Sequence, residues 1–233
     1  MKIAVFHGSP RKGNTYKATK IFMETLQKNG DVQFVEFFMP QSLPEFCTGC
    51  QLCLGHPSDK CPHAQYVTPI LNAIIEADAF IFATPHYGAS SMTSSMKNLL
   101  DHLDFLTLVV APRSELFTKK AFIITTGTGS QAAIKPIKNF LKNWGVNRVY
   151  SLGFRMFIDK WDKMKASKKS RFERQLQQSA NKFYAVKVKQ PYISTILMYH
   201  MSKFILKKYV GKDAYSYKYW EERGFFVNNP LKR

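Results

Sequence analysis

The first sixteen residues constrain the fold most, because they form a strand pattern, a glycine-bearing turn and the start of a helix pattern. Lys2–His7 is largely apolar and predicts a buried strand. Gly8–Thr15 holds two glycines and a proline, and a helical pattern begins at Thr15. The first N–H groups of a helix lack intrahelical partners, and the helix dipole favours negative charge there. We therefore interpret Gly8–Thr15 as a phosphate-binding loop.

The rest of the first two thirds of the chain alternates between strand and helix patterns. Further strands are predicted over Val32–Phe38, Ala79–Thr84, Ala121–Thr126 and Val149–Phe154. Helices are predicted over Thr15–Asn29, Tyr66–Ala77, Ser91–Leu103 and Gln131–Trp144. This order is typical of a parallel sheet with helices on both faces. Five such strands favour an α/β fold, a flavodoxin-like doubly wound sheet in the order 2-1-3-4-5.

Three loops are expected to meet at one edge of this sheet. In a doubly wound sheet, ligands bind beyond the carboxyl ends of the strands, at the switch point between strands one and three. The loops predicted there are Gly8–Thr15, Pro85–Ser90 and Gly127–Gly129, and all are rich in Gly, Ser or Thr. Their convergence predicts a single ligand site.

The composition of the first loop favours a monophosphate ligand. Its spacing resembles a P-loop, but Asn14 stands where a P-loop has the lysine that contacts the β and γ phosphates. It also lacks the G-x-G-x-x-G pattern of a dinucleotide site. Ser9, Asn14 and Thr15 can donate hydrogen bonds, and Arg11 can bind a phosphate in bidentate fashion. The alternative is a tight turn in which Arg11 and Lys12 are only solvated.

Three motifs resemble a known family. GSPRKGNT after the first strand, TPHYG after the third and KNLLDH in the next helix are similar to the NADPH-dependent FMN reductases and related iron–sulfur flavoproteins. The resemblance covers about residues 1–155 and implies FMN as cofactor, with NAD(P)H as co-substrate. The candidate FMN-binding residues are Ser9, Arg11, Gly13, Asn14, Thr15, Pro85, His86, Tyr87, Gly88, Thr126, Gly127, Thr128 and Gly129.

The resemblance also bears on assembly and on catalytic groups. Lys97 and Asp101 match a helix motif that lies near the family's dimer interface, which implies a homodimer or a higher homo-oligomer. The family often has Arg after this Asp, whereas this chain has His102. His86 has the type and position for a proton relay, or for a simple hydrogen bond to flavin or backbone. No catalytic base is assigned, since a flavin carries its own hydride chemistry.

All four cysteines lie in the long connection Met39–His63. Their spacing is Cys47-x2-Cys50-x2-Cys53-x7-Cys61, which can converge on a [4Fe–4S] cluster. The related iron–sulfur flavoproteins have a similar compact cysteine motif in the same connection. Zinc is a second candidate, with Cys61 and His63 as alternative ligands. Two further interpretations are reduced cysteines in a loop that folds over the flavin, and a redox-active pair.

The positive charge is concentrated in the last third of the chain. The formal net charge is +18, and residues 155–233 hold 19 Lys and Arg against 6 Asp and Glu. We predict an FMN-binding domain over residues 1–155 and a basic, aromatic-rich helical extension over residues 156–233. Within the extension, Lys163–Lys189 and Tyr192–Tyr209 have helical patterns.

The charge and the apolar pattern of the extension are compatible with several kinds of partner. Tyr192–Tyr209 carries apolar residues with lysines between them, which suits an anionic membrane surface. We favour instead packing against a dimer partner with solvated lysines, because charge runs are commonly solvated faces. No known nucleic-acid-binding motif occurs, so a specific nucleic-acid partner is not expected. Part of the charge can also attract NADPH.

The sequence as a whole predicts a cytoplasmic enzyme. Its apolar content of 45% is that of a globular protein. It has no membrane-span pattern and no secretory-signal pattern. The predicted function is an FMN-dependent NAD(P)H oxidoreductase that passes hydride from nicotinamide to bound FMN and on to a quinone, flavin or other small acceptor. The alternative is a non-catalytic flavin electron carrier or redox sensor, with or without an iron–sulfur cluster, that acts on a protein partner.

Overall fold

The computed structural model describes residues 1–55, 60–87, 91–146, 148–157 and 160–228. The strands are β1 Lys2–His7, β2 Gln33–Phe38, β3 Ala79–Pro85, β4 Lys120–Gly127 and β5 Arg148–Arg155. The helices are α1 Asn14–Lys28, α2 Leu52–Gly55, α3 Ala64–Glu76, α4 Ser94–His102, α5 Ser130–Asn143, α6 Ala166–Ala185, α7 Ile193–Tyr209 and α8 Tyr215–Glu222.

The strands form one parallel sheet in the order β2-β1-β3-β4-β5. The predicted flavodoxin-like topology is therefore confirmed. The register places His7 beside Phe38 in β2 and beside Ala83 in β3, and pairs Pro85 with Thr126 in β4. The carboxyl ends of β1, β3 and β4 thus lie at one edge.

Each face of the sheet is covered by helices, as a parallel sheet requires. Side chains alternate along each strand, so Phe80 and Phe82 enter one core with residues of α3, α4 and α5. Ala79 and Ile81 enter the other core with residues of α1 and α6. β3 is buried throughout except at Pro85, which accounts for its continuous apolar sequence.

The helix boundaries differ from the predicted ones by a few residues. The largest difference is at α6, predicted over Lys163–Lys189 but spanning Ala166–Ala185. The helix α4, predicted from Ser91, begins at Ser94. Thr93 has an extended backbone and its hydroxyl accepts a hydrogen bond from the Met96 N–H at 3.2 Å. Thr93 is therefore the N-cap, and caps of this kind start helices. The spacing of apolar residues in the sequence predicts which face of the helix is buried. It does not predict the polar residue at which the helix begins.

The helix α6 continues the core beyond the last strand. It lies against α1, and it buries Phe172, Leu176, Ala180 and Phe183 in the core that α1 shares with the sheet. The ring of Phe183 lies 5.6 Å from that of Phe122 in β4. The proposed division after residue 155 therefore marks the end of strand–helix alternation, while the same hydrophobic core extends past it.

The last two helices pack on the opposite side of the molecule. Tyr199 of α7 stacks on Trp220 of α8 with ring centroids 4.9 Å apart, and both belong to the core that contains α5. The Tyr199 hydroxyl donates to the Phe225 carbonyl at 2.7 Å. The segment after residue 155 is thus helical, as predicted, and it contributes to both cores.

Many apolar residues of α7 face outward. Its buried residues are Thr195, Tyr199, Ser202 and Leu206, whereas Ile193, Leu197, Met201 and Phe204 are more than half exposed. Across the described helices, none has both the length and the apolar character that crossing a bilayer requires.

Two consecutive buried lysines lie immediately before and at the start of β4, and each binds the end of a helix. The two helices lie on opposite faces of the sheet. The Lys119 ammonium donates to the Ile74 carbonyl in α3 at 2.9 Å. The Lys120 ammonium donates to the carbonyls of Phe183 and Val186, at the end of α6, at 2.5 and 2.7 Å. The last carbonyls of a helix lack intrahelical partners and favour a cation. Burial lowers the pKa of both lysines to about 8.

Replacing Lys120 with methionine is expected to lower the free energy of unfolding by about 1–3 kcal/mol, because the carbonyls at the end of α6 lose their donor. The urea midpoint and slope measure the change. The control is Lys182→Met, at an exposed position of α6. Equal midpoints for the two variants would contradict the capping role of Lys120.

Candidate functional site

A cleft of about 630 Å³ opens at the carboxyl edge of β1, β3 and β4. Its walls come from the loop after β1, the loop after β3, the end of β4 and the segment after β5. This is the predicted switch point. The predicted site residues that line the cleft are Ser9, Arg11, Gly13, Asn14, Thr15, Pro85, His86, Tyr87, Thr126 and Gly127.

Three predicted site residues are not among the residues that line the cleft. Gly88 lies outside the described residues. Thr128 lies in the exposed turn after β4 and is not part of the cleft wall. Gly129 lies behind His86, and its N–H donates to His86 Nδ1 at 3.3 Å. The structure thus places Gly129 in contact with a cleft residue rather than in the cleft wall.

The first loop presents the N-terminus of α1 to the cleft. Gly13 occupies the N-cap position and has no side chain to cap the helix. Thr15, in the first turn, has its hydroxyl 2.6 Å from that of Thr126, which joins the loop to the end of β4. Ser9 Oγ accepts a hydrogen bond from the Arg11 N–H at 3.3 Å. The loop therefore has the geometry of helix N-termini that bind phosphate.

Gly8 allows the first loop to approach α4 closely. A Cβ at this position would lie 2.9 Å from Met96 Cβ and 3.0 Å from Thr84 Oγ1. The Gly8 carbonyl accepts a hydrogen bond from the Thr93 hydroxyl at 2.5 Å. A larger residue would therefore push the loop after β1 away from the sheet edge.

Arg11 and Tyr87 join two walls of the cleft. Arg11 Nη2 donates to Tyr87 Oη at 2.5 Å, and about half of Tyr87 is exposed. A guanidinium has five N–H donors, so Arg11 can also bind an anion. Lys12, Lys17 and Lys160 line the same cleft and make it suited to negative charge.

One ring nitrogen of His86 is buried in the wall of the cleft. His86 Nδ1 accepts the Gly129 N–H, so in the neutral ring the proton is on Nε2. Nε2 is buried and has no hydrogen-bond partner within the described part of the chain. An unsatisfied buried donor costs about 1–3 kcal/mol, so an acceptor on a bound ligand would offset this cost.

Gly129→Ala is expected to displace the His86 ring, since the new Cβ would lie 2.5 Å from Nε2 and 2.7 Å from Cε1. We expect loss of the Nδ1 hydrogen bond and a decrease of about 1–3 kcal/mol in unfolding free energy. Ring ¹⁵N chemical shifts of His86 measure the tautomer. The control is Gly211→Ala, where a Cβ would have nothing within 4 Å. Unchanged His86 shifts in the Gly129 variant would contradict this role.

Several cleft residues are absent from the sequence-based prediction. They are Lys12, Lys17, Met156, Lys160, Trp161 and Asp162. Four of them follow β5, in the segment assigned to the extension, and Lys17 forms an ion pair with Asp162. The predicted topology is the signal that could have pointed to them. The segment after the fifth parallel strand leaves the sheet at the same edge as the loops after β1, β3 and β4.

A second site is a cavity of about 20 Å³ in the cysteine-bearing connection. It is lined by Cys47, Cys50, Cys53 and Cys61, together with His63 and His102. The structure thus brings the four predicted cysteines together, with all of them as free thiols. Burial, with the neighbouring thiols, raises the pKa of Cys53.

The helix α4 forms one wall of this cavity. Asn98 Oδ1 accepts the Cys47 N–H at 2.9 Å, and Asn98 Nδ2 donates to the Glu45 carbonyl at 2.8 Å. One turn later, His102 Nε2 lies 2.9 Å from His63 Nδ1. His102 is therefore a residue of the cysteine cavity, and His63 is the N-cap residue of α3.

Fold and cleft together define a flavodoxin-like α/β flavoprotein class. The family described as NADPH-dependent FMN reductase matches residues 1–157. The chain belongs to this family. The predicted family assignment is thus confirmed.

Individual relatives agree with this assignment. An iron–sulfur flavoprotein from Archaeoglobus fulgidus is 31% identical over 101 residues, which cover 43% of this chain and 48% of that protein. The chain therefore matches about half the length of this curated relative.

Solved structures share the fold. An NADH:FMN oxidoreductase in its apo form is 23% identical, with a TM-score of 0.54 over 82% of this chain and 91% of that one. An NAD(P)H:quinone oxidoreductase from Methanothermobacter marburgensis is 14% identical, with a TM-score of 0.61 over 80% of this chain and 98% of that one.

Proposed function

We propose that this protein is an FMN-dependent NAD(P)H oxidoreductase that passes hydride from a nicotinamide through bound FMN to a quinone, flavin or other small acceptor. The observation that carries the proposal is the cleft at the switch point, which joins a helix N-terminus to the buried donor of His86. FMN supplies the hydride chemistry when bound, so the chain needs only to bind, orient and tune it.

The cleft residues fit the two ends of FMN. The N-terminus of α1 and the hydroxyl of Ser9 would hold the phosphate, with Arg11 and Lys12 supplying charge. The described part of the Pro85 loop and the end of β4, up to Gly127, would hold the flat ring. His86 would keep its proton on Nε2 and donate a hydrogen bond to an acceptor on that ring.

The double variant Asn14→Leu, Thr15→Leu is expected to bind FMN about 100-fold or more weakly, since hydrogen bonds to a charged phosphate contribute roughly 1.5–3 kcal/mol each. FMN fluorescence titration measures the affinity, and circular dichroism checks the fold. Thr25→Val is the control, because the Thr25 hydroxyl bonds the Ile21 carbonyl within α1 and lies outside the cleft wall. Parental affinity in the double variant would refute the phosphate assignment.

NADPH oxidation with a quinone as acceptor is expected to be rapid for the FMN-loaded protein and absent for the FMN-free double variant. Anaerobic mixing with NADPH shows whether the bound flavin is bleached. A flavin that binds fully but is not reduced by NADPH or NADH would refute enzymatic function. That outcome would favour the alternative, an electron carrier or redox sensor that acts on a protein partner.

The cysteine cavity is proposed as a metal centre. A [4Fe–4S] cluster on Cys47, Cys50, Cys53 and Cys61 stays a prediction, supported by the name of the Archaeoglobus fulgidus relative. The residues that line the cavity agree only in part with those that a cluster needs. Four thiols line one cavity, as a cluster requires, but two imidazoles line it as well.

A homodimer is proposed as the assembly. The outward apolar residues of α7, among them Leu197 and Phe204, support this, because an exposed apolar patch commonly marks an interaction site. Association with an anionic membrane surface stays a weaker proposal that rests on the same helix and its lysines.

A further inference from the structure

Three donor atoms from two parts of the chain meet in the cysteine cavity. The ligand atoms of Cys61, His63 and His102 all lie within 4.8 Å of one another. The two imidazole nitrogens, His63 Nδ1 and His102 Nε2, are 2.9 Å apart. Ligands around one zinc ion lie about 2.0–2.3 Å from it, so the three atoms need only a small separation to surround an ion.

The orientation of His102 suits ligation through Nε2. His102 is only 3% exposed, and its Nδ1 lies 2.9 Å from the Asn98 carbonyl, to which it donates. This hydrogen bond places the lone pair of the neutral ring on Nε2, which faces His63. A metal-bound histidine is typically held in this way, with its second nitrogen donating to a carbonyl or carboxylate.

The surrounding structure holds the ligand groups in place. His102 and Asn98 lie on consecutive turns of α4, and Asn98 binds the backbone at both Glu45 and Cys47. His63 lies at the start of α3, two residues after Cys61. The site is therefore built on two helices and one loop that is tied to α4.

The mixture of ligands favours a single ion over a cluster. A [4Fe–4S] cluster is held by four thiolates, whereas two thiolates and two imidazoles are a common tetrahedral zinc set. The cavity volume of about 20 Å³ is near the space that one small ligand occupies. Among the remaining cysteines, Cys53 is half-buried and lines the same cavity, but its sulfur lies outside the group of three donor atoms within 4.8 Å, while Cys47 and Cys50 are exposed.

We propose that Cys61, His63 and His102, joined by Cys53 after a movement of its side chain toward them, form a tetrahedral zinc site that ties the cysteine loop to α3 and α4. The site needs no flavin and is independent of the proposed reductase activity. Its role is structural, because all four coordination positions are filled by the protein.

Elemental analysis of the full-length protein, purified anaerobically and dialysed against a weak chelator, tests the proposal. We expect one zinc per chain. His102→Gln and His63→Gln should weaken zinc binding by at least the roughly 10–100-fold that loss of an outer-shell partner costs. Cys50→Ser, at an exposed cysteine outside the proposed set, should retain it. FMN content and circular dichroism report whether each variant folds.

Cobalt(II) added to the metal-free protein is a second probe that does not depend on the variants. Intense visible bands of tetrahedral cobalt, with thiolate charge transfer, are expected. Four irons per chain that persist in His102→Gln would overturn the proposal in favour of the cluster. It would also be overturned by protein without metal, by loss of zinc in Cys50→Ser, or by cobalt spectra without tetrahedral bands.

Discussion

The parallel pairing of β1 with β3 is the constraint on which the rest of the structure depends. Ile3 pairs with Ala79 and His7 with Ala83, so the two strands end together at one edge. The chain leaves β1 toward one face of the sheet and β3 toward the other, because α1 and α4 cover opposite faces. The loops separate at this point, and the cleft is the space between them.

Much of this arrangement could be predicted from the sequence. The strand order follows from apolar runs that alternate with helical periods, and a strand such as β3 can be continuously apolar only if both its faces are buried. The turn over Gly8–Thr15 could be predicted from its two glycines and its proline. Ten cleft residues were predicted because their loops follow strands whose ends are fixed by topology.

Other features depend on tertiary contacts that no local pattern contains. The period of α7 gives the spacing of its apolar residues but not the side that faces the core. Tyr199 is buried against Trp220, and its hydroxyl donates a hydrogen bond to the Phe225 carbonyl. Leu197, on the same helix, is mostly exposed. His102 departs from the family pattern at one position, and only the fold brings it beside His63, 39 residues earlier.

The helix α4 contacts both the loop after β1 and the cysteine cavity. Thr93, the N-cap of α4, donates a hydrogen bond to Gly8 in the loop after β1, and His102, in the last turn, lines the cysteine cavity about 13 Å further along the axis. A shift of α4 along its axis would therefore move the Thr93 contact with Gly8 and the His102 side chain together.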